Sequence, residues 1–463
     1  MSRAREHGAS RAPSALRWRP IGTWWLNPLV LTLLWVAPAM LLPLSVSSTT
    51  FMRDWRTPRF LVGSDTVLVI SCLTSLVVGM VLGASRRSGV GARAADGRSG
   101  NDRADDSVWL YVAHAGPVLL AVTVAAYAGW FAIGMSRGVP PWDALSAVLH
   151  GQGDYKDIKA AFRPVAGVTT FMQVGVPAAA IHVLRWKLGF PRAIRALALL
   201  LGLALVRSLL YAERLALIEV ALATFVATLT LTVTRVRRTG RQQPESVLKR
   251  FAIRSFPVLA PLSLVALFAA EEAIRSWATY YSARGTDFTT FVTERLEGYY
   301  ATALNNSAFL LHHVPQTGVP RYTLDWLWNF PVLSSLLPYS TVAGPDPTTD
   351  WLVQLGQAGN AEFNNPGGLT VYWDLGPLLA PIALGFFGFF LARLHARAKA
   401  MDPVAWVAFS CVLVSLLEFP RFFYIGLGRA FPILVVCAYL ALRSARLARP
   451  ERRSVPSPAH VLR

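Results

Sequence analysis

Between Ser64 and Ala84 the chain reads SDTVLVISCLTSLVVGMVLGA, twenty-one residues with a single charged side chain at its start. As a helix rising 1.5 Å per residue, such a block matches the roughly 30 Å hydrocarbon core of a bilayer. It is not alone. Largely uninterrupted apolar stretches recur near 27–46, 64–84, 107–134, 164–184, 196–212, 214–234, 254–273, 373–392, 403–418 and 427–443. The composition agrees, since 54% of the 463 residues are hydrophobic and only 15% are charged, too few for a soluble chain of this length. The expected fold is an all-α polytopic integral membrane protein of about ten transmembrane helices.

The charges predict how it sits. If the N-terminus is cytoplasmic, the inward segments are the two tails and the loops 85–106, 185–195, 235–254 and 393–402. They hold 29 of the 45 Lys and Arg but 8 of the 26 acids, a net +21 against −2 for everything else. That is a positive-inside pattern, so the basic surplus reads as topology and anionic-lipid contact rather than nucleic-acid binding. The predicted division is a basic cytoplasmic tail at 1–26, a transmembrane domain at 27–443 and a second basic cytoplasmic tail at 444–463. The run after the first tail is too long for a signal-peptide core, so it reads as an anchor. Cys72, Cys411 and Cys437 each sit in an apolar run and read as small buried hydrophobes, not as a disulfide or metal set.

This topology leaves one large extracytoplasmic loop, 276–372. Its first half places Phe288, Phe291, Val292, Leu296, Tyr299 and Ala303 at helical spacing, and its second half carries Trp326, Trp328, Phe330 and Tyr339. Amphipathic, Trp/Tyr-rich segments lie at a membrane interface, which predicts interfacial helices capping the bundle. The alternative is a structural plug between helices.

Several chemistries lack their motifs. There is no Walker loop, no GxGxxG after a strand, no HExxH and no CxxC pair, and no Asp-x-Asp triplet sits in a suitable soluble domain. No cofactor is expected, and neither ATP hydrolysis nor nucleotide-sugar use is indicated. What stands out is charge beside the outer ends of the spans. Arg207, Glu213, Arg214 and Glu219 fall in VRSLLYAERLALIEV. Ionisable groups there face a cavity or a partner. They form either a structural ion-pair network or a set of arginine forks for phosphate. The loop adds Arg284, Glu294, Arg295, Glu297, His312, His313 and Arg321, with Glu271 and Glu272 just before it, and the last outer turn, EFPRFFYIGLGR, adds Glu418, Arg421 and Arg429. Adjacent histidines on a helix point apart, so no metal is expected at His312 and His313.

The loop returns to the membrane through EFNNPGGLTVYWDLGP, Glu362–Pro377. Pro-Gly-Gly reads as a turn. Asp374 is either a helix N-cap or a functional acid, and Gly367 and Gly368 would let backbone pass close to a bulky glycan. This order resembles the Wzy-type oligosaccharide repeat-unit polymerases of O-antigen and capsule assembly. A long extracytoplasmic loop with scattered arginines is followed by the Asn/Gly segment with its Tyr372, Asp374, Leu375 and Gly376, and then by EFPRFFYIGLGR. LVRSLLYAERLALIEVAL is similar to that family's arginine-bearing helix, so the likeness runs over about 190–430.

The resemblance implies a metal-independent glycosyltransferase of the cytoplasmic (inner) membrane. It would join glycan repeats carried on polyprenyl diphosphate at the outer face, with both termini cytoplasmic. It further implies a chain-length regulator and a flippase of the same pathway as partners, beside membrane lipids and without nucleic acid. Diphosphate binding would fall to Arg207, Arg214, Arg284, Arg295, Arg321 and Arg421. The base would come from Glu294, Glu297, His312, Glu362 or Asp374, and glycan contacts from Asn364, Asn365 and Tyr372. Two rival classes stand beside this one. One is another lipid-carrier transferase or ligase, with Asp54 of the first outer loop as its acid. The other is a lipid-linked oligosaccharide flippase, against which stands the absence of an internal repeat.

Overall fold

A computed structural model of the chain describes residues 16–18, 23–85, 102–150, 155–211, 213–233, 287–330, 333–359 and 365–447, together with scattered positions between 255 and 277. Its principal helices are α1 (Pro28–Ser45), α2 (Ser48–Asp54), α3 (Gly63–Ser85), α4 (Asp102–Ser136), α5 (Val168–Met172), α6 (Gly175–Lys187), α7 (Ala193–Tyr211) and α8 (Arg214–Thr230). After these come α9 (Phe288–His313), α10 (Pro347–Gln357), α11 (Thr370–Lys399), α12 (Pro403–Leu417) and α13 (Ala430–Leu447). Short helices fill the connections, and the one strand pairing among the described residues is Leu16–Trp18 antiparallel to Leu231–Val233.

Six of these helices are long and apolar enough to cross a membrane: α1, α3, the Ser107–Ser136 part of α4, α7, α11 and α13. They coincide with six of the ten expected spans. The remainder differ because hydropathy averages composition and does not sense backbone continuity. The stretch 164–184 is broken at Gln173 and Val174 into α5 and α6. The stretch 214–234 ends after 17 helical residues. The stretch 403–418 makes only the shorter apolar α12. Most of 254–273 lies outside the described residues.

Glycine decides how α3 and α11 pack. A Cβ on Gly79 would collide with the Gly385 backbone, one on Gly83 would reach 3.1 Å from Phe389 Cα, and one on Gly388 would strike Leu76. The two helices therefore lie in backbone contact, as small-residue faces permit in an apolar medium. They run parallel, which puts Asp65 and Asp374 at the same end. In α4, Pro117 cannot donate to the Ala113 carbonyl, and Arg185 Nη1 of α6 supplies the missing bond at 2.9 Å.

The expected interfacial cap is drawn inward. In α9 every residue from Ala301 to Leu310 is buried, including Asn305, Asn306 and Ser307. Asn305 Oδ1 accepts from Phe60 N at 2.7 Å and Leu61 N at 3.3 Å, and its Nδ2 donates to Pro58 O at 2.8 Å. The non-helical chain before α3 thus finds the partners that buried backbone requires. By burial, this half of α9 plays the part of a plug between helices. The three cysteines are free and buried.

Candidate functional site

The two segments singled out in the sequence meet. Gly367 N donates to Arg421 O at 2.9 Å and Gly368 N to Pro420 O at 3.4 Å, clipping the Pro-Gly-Gly turn to the start of the last connection. Gly367 has φ +74, and a Cβ there would lie 2.6 Å from Ala303 O, while one on Gly368 would meet Phe419. The glycines therefore serve close approach of chain to chain.

Behind this clip lies a cavity of about 410 Å³, within the size range of small-molecule sites. Its charged wall is Arg295 and Glu294 from α9, Arg421 from the last connection, and Glu272. Its aromatic wall is Trp55, Tyr299 and Trp351, and Asn365 and Thr302 add amide and hydroxyl groups. Six segments of the chain build it, around Trp55, Glu272, Tyr299, Trp351, Asn365 and Arg421.

Arg421 is the most constrained of these. Its backbone is held by Gly367, its Nη1 donates to Glu418 Oε2 at 2.5 Å, and its guanidinium carbon lies 3.5 Å from the centroid of the Tyr299 ring. The side chain is 7% exposed, and Nε has no hydrogen-bond partner among the described residues. Burial works against its charge, but Glu418 and the tyrosines beside it prevail and hold its pKa above the ordinary value. Arg295 is 23% exposed, with Nε 3.7 Å from Glu272 Oε2. Arg214 stands one layer back, paired with Glu272 and stacked 4.2 Å over Phe268.

Glu294 sits where the first connection docks on α9. Trp55 Nε1 donates to the Glu294 carbonyl at 3.0 Å, and a Cβ on Gly298 would lie 2.7 Å from the same indole. Burial, then the Asp54 charge, raises the Glu294 carboxyl above the usual range.

Other expected residues lie elsewhere. Arg207 belongs to a separate buried network. Its Nη2 donates to Glu213 Oε2 at 2.7 Å, Arg429 Nη1 reaches Glu213 Oε1 at 2.5 Å, and Arg429 Nε lies 2.8 Å from Glu219 Oε1. Tyr424 OH donates to Glu219 at 2.6 Å. This is the structural reading of that cluster. Arg321 is locked to Asp325 at 2.6 Å and Asp346 at 3.1 Å. Asp374 accepts from Arg321 N and Thr323 Oγ1, each at 2.8 Å, so it pins a loop rather than capping its own helix. His312 Nε2 pairs with the buried Asp65 at 2.9 Å. Tyr372 is packed in the core with Cys72, Leu76 and Leu304, and Glu297 is exposed. Arg284, Glu362 and Asn364 lie outside the described residues.

The cavity thus gathers Glu294, Arg295, Arg421 and Asn365 from the expected set. In the sequence Tyr299 reads only as part of a helical stripe and Glu272 as one of a pair of acids, and nothing there marks Trp55. Their spacing carries no trace of the cavity that tertiary packing creates. Among the described residues no group of three His, Cys, Asp or Glu side chains is arranged to hold a metal. Set against protein-family models, curated proteins and solved structures, the chain finds no match in any of the three, and its function rests on the site itself.

Proposed function

We propose that the chain is a membrane glycosyltransferase that joins glycan repeats carried on polyprenyl diphosphate. The ten-span topology, with its large outer loop and inward termini, would put the cavity at the outer face of the cytoplasmic membrane. The observation that carries the reading is the cavity itself. Two buried or half-buried arginines and a carboxylate of raised pKa share it with aromatic walls, against an apolar bundle. Arginine forks suit a diphosphate, aromatic faces suit sugar rings, and a carboxylate shifted toward neutrality suits a general base.

In this reading an acceptor hydroxyl oxygen attacks the anomeric carbon of the donor glycan. A new carbon–oxygen bond forms while the bond to the diphosphate breaks, and the leaving diphosphate takes the electron pair. Arg295 and Arg421 neutralise the charge developing on it. Glu294 takes the hydroxyl proton. No metal is assigned a part.

The test is to incubate the purified protein with polyprenyl-diphosphate-linked repeats and resolve the products by size. A ladder of longer glycans supports the reading. Transfer to a different acceptor without a ladder overturns polymerisation and leaves a ligase. Arg421→Lys, which keeps the charge but loses the fork, is expected to cut the rate at least tenfold. The second reading, another lipid-carrier transferase, is favoured by one observation: Trp55 brings the first connection, with Asp54, to the cavity. Loss of activity in Asp54→Ala beside a tolerated Glu294→Ala would select it.

A further inference from the structure

Arg421 lies on the connection between α12 and α13, which has little regular structure, yet its guanidinium is fixed. Glu418 holds one edge through Nη1, and Gly367 holds the backbone behind it. Neither contact sets the plane of the group, because a single bond to Nη1 leaves the guanidinium free to swing about it. Two rings stand beside the group, Phe422 at 5.1 Å and, much closer, Tyr299. Tyr299 lies 3.5 Å from the guanidinium carbon and is itself wedged against Phe268, with ring centroids 5.7 Å apart at 76°, and against Tyr300, 5.9 Å apart at 85°. Tyr300 in turn meets Trp35 of α1 edge-on at 5.6 Å. The ring under Arg421 is therefore braced back into the bundle.

We propose that Tyr299 is the positioning residue for Arg421. Its ring face orients the guanidinium against the cavity that Arg421 lines, where the group meets an anionic oxygen of the ligand. A cation flattened on an aromatic face keeps its in-plane donors for a ligand, because the attraction uses the face of the group and not its edge. The role belongs to the ring and not to the hydroxyl. The ligand named here rests on the transferase reading, whereas the placement of Arg421 does not.

The experiment measures Arg421 directly. Full-length protein in detergent is treated with phenylglyoxal, and modification at Arg421 is followed by mass spectrometry, with and without inorganic pyrophosphate. Arg421 in the native protein is expected to react slowly. Tyr299→Leu is expected to speed its modification about thirtyfold, the size of one desolvated cation–π contact. Tyr299→Phe and Tyr299→Trp, which keep a ring, are expected to restore native protection. Equal protection in Tyr299→Leu at an unchanged melting temperature would overturn the proposal. So would exposure of Arg421 in Tyr299→Phe, which would show that the hydroxyl is what matters. If Tyr299→Leu does not fold, the Phe and Trp variants decide by the same readout. Ring-dependent protection without any further protection by pyrophosphate would uphold the positioning role and count against the diphosphate site.

Discussion

At the scale of single residues, the site turns on how Glu294 is tuned. Burial and the neighbouring Asp54 raise its carboxyl pKa, so a base at this position works only above that raised value. The acidic limb of the pH–rate profile is expected to report it. Asp54→Asn removes a negative charge that favours protonation, so the limb should move to lower pH. Glu294→Gln should lose about a hundredfold or more in rate, the usual worth of a positioned base. A limb unmoved by Asp54→Asn would separate the two carboxylates. Part of this was legible from the sequence. Glu294, Arg295 and Arg421 stand out because charge beside a span demands a reason. Their neighbours gave no such signal. Asp374 drew attention by its motif, yet its oxygens are spent on Arg321 and Thr323.

At the scale of elements, the α3–α11 pair makes the clearest mechanical statement. Gly79→Ala would drive a methyl group into the Gly385 backbone, and neither helix can yield without parting from the other. Overpacking of this kind costs about 1–3 kcal/mol, which should appear as a lower melting temperature in detergent. Gly202→Ala on α7, where a Cβ meets nothing within 4 Å, is the matched control and should be neutral or slightly stabilising. Equal losses at both positions would remove the close-packing argument. The apolar blocks announced six of the long helices. The plug-like burial of α9 stood in the sequence as the alternative to a cap, but the break at Gln173 and the repair of the Pro117 gap by Arg185 were not legible, because each depends on a partner far away in sequence.

At the scale of the whole molecule, ion pairs outside the spans tie the connections together. Asp346 is pushed up by burial, but Arg321 and the Thr348 amide and hydroxyl outweigh this and hold it below the ordinary carboxylate value. For Glu213, burial is likewise outweighed by Arg429 and Arg207. Both folded-state values are depressed. Their stabilisation is therefore complete above the unfolded pKa values, about 3.9 for Asp and 4.3 for Glu, and disappears as pH falls through the lower folded values. The melting temperature should hold through neutral and mildly acidic pH and drop below about pH 4. Asp346→Asn should lower it at neutral pH and flatten part of that drop.

The cavity draws one wall from Trp55 and another from Arg421, more than 360 residues later in the chain. At about 5–20 residues per second, a ribosome needs roughly 20 to 70 s to travel between them. For that interval the first connection is already made while the Gly367–Arg421 clip does not yet exist. The site therefore cannot close around a ligand until the connection that carries Arg421 has left the ribosome.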